Sequence, residues 1–123
     1  MKGKVFLLLC CMALFATFLV VRTDKTAVPE HLLGVWGTSE PKFAHCKIEF
    51  LQGHLILGLA NGRDTYCRID KITSVQESGQ RVMYTIHYRD EGGSGSTLCF
   101  RYDPHSGGTL QLKNHSEIWE RSR

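Results

Sequence analysis

Alternation between apolar and polar side chains, interrupted by glycine-containing turns, is the feature that most constrains how this chain folds. From Leu32 to the carboxyl terminus the alternation has a period of two. Within residues 81–89, for example, the even positions are apolar or aromatic, and the odd positions are polar except for Met83. This period is typical of antiparallel strands that have one buried and one solvated face. No segment after Val21 carries a helical stripe of apolar residues, so the predicted fold class is all-β.

The turns between the alternating segments divide the chain into short strands. The pair Asn61-Gly62 is a strong example, because these two residues tolerate the positive φ angles that tight hairpins require. We predict seven or eight strands, at 33–38, 45–51, 54–59, 65–76, 81–89, 96–103, 109–113 and 116–120. A meander of this kind removes its exposed edges by closing on itself. We therefore expect a small antiparallel meander barrel within residues 32–123.

The first predicted strand carries the motif Leu33-Gly34-Val35-Trp36. A Gly-x-Trp at the start of the first strand of an antiparallel barrel resembles the calycin group, which comprises the lipocalins and their small relatives. The resemblance implies that Trp36 packs at the closed end of the barrel against an arginine from late in the chain, for which Arg121 is the candidate. It also implies an internal cavity for a small apolar ligand, lined by residues such as Phe50, Leu57, Ile69, Ile86 and Phe100. Strands of about 5–6 residues also suffice for an interior filled by side chains.

The two tryptophans occur in the first and last predicted strands. We expect Trp36 and Trp119 to be structural, together with Gly34 and Arg121, and to lie near the seam where the barrel closes. Arg121 is placed to stack on Trp36, a cation–π contact worth about 0.5–2 kcal/mol. The functional alternative is that one tryptophan is exposed as a platform for a ligand.

An apolar run begins at Val5 and ends at Val21, with Thr17 as its one polar residue. As a helix it would be roughly 25 Å long, slightly short of a hydrocarbon core of about 30 Å. Residues 1–22 are therefore either a cleaved signal peptide or an uncleaved signal anchor. We favour the anchor because the run is long and no good cleavage site follows it. Residues 23–31 are polar and are predicted to be a short tether.

The charges flanking this run predict its orientation. Lys2 and Lys4 precede it, which favours a cytoplasmic amino terminus with the rest of the chain outside, as a single-pass membrane protein. If the segment is cleaved, the barrel would instead be secreted or periplasmic. Either way, we predict that the folded part is exported to the cell envelope or beyond it.

The folded part carries no basic excess, which argues against a nucleic-acid partner. The whole chain has 15 Lys and Arg against 12 Asp and Glu, a formal net charge of +3. Lys2, Lys4 and Arg22 account for this excess, because no acidic residue precedes Asp24 and the remainder holds 12 of each sign.

Three cysteines lie in the predicted barrel, at positions 46, 67 and 99. In an oxidising compartment one pair is expected to form a disulfide. Cys46 and Cys67 are the candidates because both lie on the apolar face of their strands. In a meander these strands are second neighbours, about 9–10 Å apart, so three reduced thiols are the alternative.

No pattern in the sequence indicates catalysis, a metal or a cofactor. The six histidines form no pair at ligand spacing, the cysteines lack the short spacing of zinc ligands, and no nucleophile motif is present. We predict a non-enzymatic, exported barrel that binds an unknown protein or small ligand, with a lipocalin-like carrier of a small apolar ligand as the alternative. The candidate contact surface is a set of loops around 60–65, 90–96 and 103–108, predicted to lie at one end of the barrel.

Overall fold

The strands follow one another around a closed antiparallel barrel. The computed structural model describes residues 22–25, 27–59 and 61–122, with the backbone alone for 22–25. Within these residues nine strands form one sheet: β1 (Arg22–Lys25), β2 (Gly34–Gly37), β3 (Lys47–Leu51), β4 (His54–Gly58), β5 (Asp64–Gln76), β6 (Val82–Arg89), β7 (Gly95–Asp103), β8 (Thr109–Leu112) and β9 (Ile118–Arg121). Strands β2 to β9 pair in chain order, and β9 returns to β2. The predicted all-β meander barrel is confirmed, with eight strands whose ends lie within two residues of those predicted.

The barrel closes where its first and last strands meet. Trp36 pairs with Arg121 and Gly37 with Glu120 across the β2–β9 seam. Both strands are short, with four residues each. Because so few backbone hydrogen bonds join β2 to β9, side-chain packing is expected to provide much of the stabilisation of this seam.

Three single turns of 3-10 helix interrupt the connections, at Glu30–Leu32, Pro41–Phe43 and His105–Gly107. The first places the fully buried Leu32 in the core. The second brings Phe43 against Trp119, with ring centroids 6.2 Å apart. One turn is too short to show a periodic apolar stripe, and the alternation did not predict any of the three.

The interior of the barrel is filled by the inward-facing side chains of its eight strands. Phe100 lies at its centre, with ring centroids 5.6 Å from both Phe50 and Tyr84. The largest fully buried side chains come from seven different elements: Trp36, Phe50, Phe100, Leu32, Leu55, Ile86 and Leu110. Such a core belongs to the small class of barrel in which packing, not a cavity, occupies the centre.

Strand β5 contains a bulge at Asp70. Ile69 pairs with Tyr88 of β6 while Lys71 pairs with the adjacent His87, so Asp70 is an extra residue without a partner in this register. One extra residue reverses the phase of the alternation. Ile69 and Ile72 consequently both lie in the core although they are an odd number of residues apart.

Residues 23–25 and 27–31, which belong to the segment predicted to be a tether, are part of the fold. β1 pairs with β5 from Arg22 opposite Val75 to Lys25 opposite Ile72. Val28 is only 2% exposed and packs in the core. The Gln52 side-chain amide accepts from the Val28 N–H (3.1 Å) and donates to the Val28 carbonyl (2.9 Å), in the manner of a paired strand. The segment packs on the barrel and is not a free tether, because a few backbone pairs and one apolar side chain suffice to dock a polar segment.

The apolar run at 5–21, proposed as a signal segment, lies outside the described residues. In the part of the chain that the structure does describe, no helix has both the length and the apolarity needed to cross a bilayer.

Candidate functional site

Hairpins alternate between the two ends of the barrel. The loops at 38–46, 59–63, 90–94 and 113–117 lie at one end, the mouth end. The loops at 52–53, 77–81 and 104–108 lie at the other, the terminal end, where β1 begins and β9 finishes. The prediction that the loops around 60–65, 90–96 and 103–108 share one end is therefore wrong for the third, because consecutive hairpins of a meander point in opposite directions.

Three of the four residues predicted to be structural, Gly34, Trp36 and Arg121, meet at the terminal end. Trp36 is fully buried, and its Nε1 donates a hydrogen bond to the Leu32 carbonyl at 2.9 Å. The Arg121 guanidinium lies over the indole, 4.9 Å from the centroid, and donates to the His31 carbonyl. The contact between Trp36 and Arg121 that the calycin resemblance implies is thus present. This end of the barrel is closed.

Gly34 adjoins this cluster. Its φ is +120°, a backbone conformation that residues other than glycine rarely adopt. A Cβ built on Gly34 would lie 3.8 Å from Cδ of Arg121. The second tryptophan, Trp119, is 4% exposed and packs on Phe43 towards the mouth end. Both tryptophans are therefore buried in the structure.

A cluster of three rings at the terminal end has no counterpart in the sequence motifs. The His31 ring stacks on Tyr102, with centroids 4.6 Å apart, and His31 Nε2 lies 2.8 Å from the hydroxyl of Tyr84. Burial raises the pKa of Tyr84, with a further contribution from Tyr102. His31 and Tyr84 are 53 residues apart in the chain, and no local pattern relates them.

The residues proposed to line an internal cavity pack against one another. Phe50, Ile86 and Phe100 have no exposed surface, and Ile69 is buried beside them. Leu57 is partly buried against the same core. The side chains that the resemblance assigned to a ligand cavity therefore form the packed centre of the barrel.

A charged cleft of about 460 Å³ lies at the mouth end, between β5 and the β6–β7 loop. It is lined by Arg68, Asp70, Arg89, Asp90, Glu91 and Gly93. Nε of Arg89 is paired with Oδ2 of Asp70 at 2.8 Å. Arg68 also lines the cleft, and within the described residues it has no ion-pair partner. The cleft thus presents one unpaired cation opposite two loop carboxylates.

The backbone of β5 is unevenly paired beside this cleft. On its β4 side, the Ile69 N–H donates to the Gly53 carbonyl at 2.9 Å. Hydrogen-bonded pairs alternate along an antiparallel ladder, so the odd-numbered residues of this half of β5 bond to β4. The even-numbered residues Asp64 and Tyr66 accordingly direct their N–H and C=O groups towards the β6 side.

Strand β6 does not reach those groups. Its pairing with β5 begins at Arg68, opposite Arg89, and β6 ends there. Among the described residues nothing pairs with Asp64 or Tyr66 on that side. The Tyr66 side chain is 56% exposed on the outer surface. Although the barrel is closed, it therefore has a short free edge next to the cleft.

Two ionisable side chains lie beneath the cleft. Burial raises the pKa of the Cys67 thiol, with smaller contributions from Asp90 and Glu91. Burial likewise raises the pKa of Tyr88, and the nearby Cys67 and Asp90 act in the same direction. Both shifts favour the neutral forms of these side chains. The carboxylates of the 90–94 loop contribute to them.

The three barrel cysteines are free thiols, and the candidate disulfide between Cys46 and Cys67 is not formed. Leu55 of β4 pairs with Phe50 on one side and with Cys67 on the other, so Cys67 is level with Phe50. Cys46 lies four residues before Phe50 and two strands away from Cys67. These separations, roughly 13 Å along the strands and 9–10 Å across them, exceed the reach of a disulfide.

The fold and the cleft define this chain as a small, closed, antiparallel β-barrel with a free strand edge at one end. Comparison of the chain with protein-family models, with curated proteins and with solved structures gives no match. In the described residues, no three His, Cys, Asp or Glu side chains converge as metal ligands would.

Proposed function

We propose that this chain is an exported, non-enzymatic β-barrel, anchored in the membrane by residues 5–21, that binds an extended segment of a partner protein at its mouth end. The observation that carries the proposal is the free edge of β5 at Asp64 and Tyr66, next to the charged cleft. Exposed sheet edges recruit extended peptides by backbone pairing, while neighbouring side chains select the sequence.

The charges around the edge specify the partner segment. The unpaired guanidinium of Arg68 would pair with an acidic side chain. Asp90 and Glu91 lie across the cleft and favour a basic one. The ligand class is therefore an extended peptide with charges of both signs, held by backbone hydrogen bonds to Asp64 and Tyr66.

The second candidate is a calycin-like barrel that carries a small apolar ligand. The stacking of Arg121 on Trp36 favours this likeness. The packed interior weighs against the carrier, since Phe50 and Phe100 occupy the place where a ligand would bind. Peptide binding at the edge is therefore the better supported function.

The proposal is tested by removing one backbone donor. The full chain in detergent is used to select binders from a displayed library of random peptides. Tyr66→Pro deletes the N–H that faces away from β4, whereas Tyr66→Ala keeps that N–H and removes only the ring. We expect the selected peptides to lose about tenfold or more in affinity with Tyr66→Pro, the equivalent of about 1.4 kcal/mol, and much less with Tyr66→Ala.

Two further measurements complete the test. Thermal melting of both variants shows whether the proline has disturbed the barrel itself. Arg68→Glu is expected to lower the affinity of peptides that contain an acidic residue and to leave the affinity of the others unchanged. Selection of peptides that bind Tyr66→Pro as well as the parent chain would contradict the proposed mode.

A further inference from the structure

We infer that the terminal end of the barrel rests on the lipid headgroups, with the tip of the β5–β6 hairpin at 78–80 in the headgroup layer. This orientation rests on the proposed anchoring by residues 5–21. It directs the cleft at the mouth end away from the membrane. The occupant of the terminal end is thus a lipid surface, and that of the cleft a partner outside it.

The register of β1 carries the argument. The apolar run finishes at Val21, and Arg22 is already paired with Val75 of β5. The next three residues continue the ladder to Lys25 opposite Ile72. No residues remain between the run and the sheet to act as a spacer. A bilayer that contains the run must therefore begin beside the position of Val75.

The β5–β6 hairpin extends beyond that position. After Val75, Gln76 pairs with Val82, the Glu77 N–H donates to the Arg81 carbonyl at 2.9 Å, and the tip follows at 78–80. The tip is about three residues beyond Val75, because Ser78 and Gln80 are level on the two arms of the hairpin. This is about 10 Å along the strand at about 3.3 Å per residue, and about 7–8 Å along the barrel axis for a strand tilt of about 35–45°. The headgroup region on one side of a bilayer is only about 5–7 Å thick. The hairpin tip therefore reaches this layer.

The chemistry of the hairpin suits phosphate headgroups. Its tip is Ser78-Gly79-Gln80, which is polar and exposed. The Glu77 carboxylate is neutralised by Arg101, whose Nε lies 2.5 Å from Oε1. The exposed Arg81 has no ion-pair partner within the described residues. One cation next to a polar tip is a combination that anionic lipid attracts.

The cleft lies at the opposite end of the same strand. From Val75 back to Asp64 is eleven residues of β5, roughly 35 Å along the strand. The free edge and the loop at 90–94 are therefore well clear of the headgroups. A partner segment would reach them from the aqueous side.

Photocrosslinking distinguishes this orientation from others. A photoreactive amino acid is placed at Gln80 or at Glu91, both exposed residues in hairpin loops at opposite ends of the barrel. The full chain is reconstituted in vesicles of phosphatidylcholine and phosphatidylserine. We expect lipid adducts at Gln80 and none above background at Glu91. Adducts at Glu91, or none at Gln80, with the chain retained in the membrane would overturn the orientation.

Two controls separate the inference from the proposed anchoring. Extraction with alkaline carbonate releases a peripheral protein and leaves an anchored one, so release would overturn the anchoring and the orientation together. A flexible Gly-Ser insert between Val21 and Arg22 leaves the anchor and β1 intact but restores a spacer. The Gln80 adducts should then fall to the level seen at Glu91. If they do not, direct docking through β1 is wrong.

Discussion

Trp36 holds the terminal end of the barrel together through contacts of three kinds. Its ring is fully buried, its Nε1 donates to the Leu32 carbonyl, and Arg121 lies over its face. Tyr102 meets the ring edge-on, with centroids 6.5 Å apart. One side chain thereby joins β2, β9 and the segment that precedes β2.

We expect Trp36→Ala to destabilise the barrel by about 3–5 kcal/mol, because it leaves a large void and an unpaired Leu32 carbonyl. Such a loss is a large fraction of the stability of a small domain. Urea denaturation followed by circular dichroism measures the change. Trp119→Ala is a matched comparison at the mouth end, and Ile118→Ala is a control on an exposed neighbour. A Trp36→Ala protein as stable as the parent would show that the ring is not structural.

At this scale the sequence predicted some neighbours and missed others. Gly34 and Trp36 form a short motif, and Arg121 lies where the last strand must return to the first. The stacking of His31 on Tyr102 depends on how the segment before β2 folds over the barrel. No periodicity encodes that path, so the ring cluster could be found only in three dimensions.

Strands are the elements that the sequence predicted best, because burial of one face imposes alternation directly. The bulge in β5 was not predicted, although the odd spacing of the core residues Ile69 and Ile72 is its signal in the sequence. The free edge beside the cleft is not, since it depends on where β6 stops relative to the much longer β5. β1 was missed because its polar residues carry no apolar face to detect.

Deletion of Asp70 is expected to remove the bulge, to keep the inward-facing residues of β5 in place and to cost little more stability than its substitution. Without the extra residue, Ile69 and Ile72 are two positions apart in a regular strand, so both still face inward and Lys71 still pairs with His87. Asp70→Ala loses only the surface ion pair with Arg89, worth about 0–1 kcal/mol. Thermal melting of the two variants makes the comparison. A much lower melting temperature for the deletion than for Asp70→Ala would show that the barrel needs the bend of β5 at the bulge.

At the scale of the whole molecule, three carboxylates among the described residues make stability depend on pH. Hydrogen bonding to Arg101 lowers the pKa of Glu77. Hydrogen bonds from His105 lower that of Asp103. The pKa of Glu117 is lowered chiefly by a backbone hydrogen bond within its own residue, and also by Lys42. Each group is more readily ionised in the folded barrel than in the unfolded chain.

The stabilisation from these groups is fully present above the unfolded pKa values, about 4, and is lost as the pH falls through the lower folded values. We therefore expect the melting temperature to drop as the pH decreases below about 4. Glu77→Gln should be less stable at neutral pH and should show a smaller drop. Glu91→Gln, which also removes one negative charge, is the control. An identical pH profile for parent and Glu77→Gln would contradict this linkage.

Strand β5 connects three parts of the molecule at once: β1 at one end, the barrel wall along its length and the free edge at the other. In the proposed arrangement, tension between a membrane and a bound partner would run along the axis of this single strand. Ladder hydrogen bonds lie perpendicular to that axis, so the β1–β5 pairs would be loaded in shear and would share the force instead of peeling apart one by one. The mechanical strength of the attachment would then be set by four residue pairs, Arg22 with Val75 to Lys25 with Ile72.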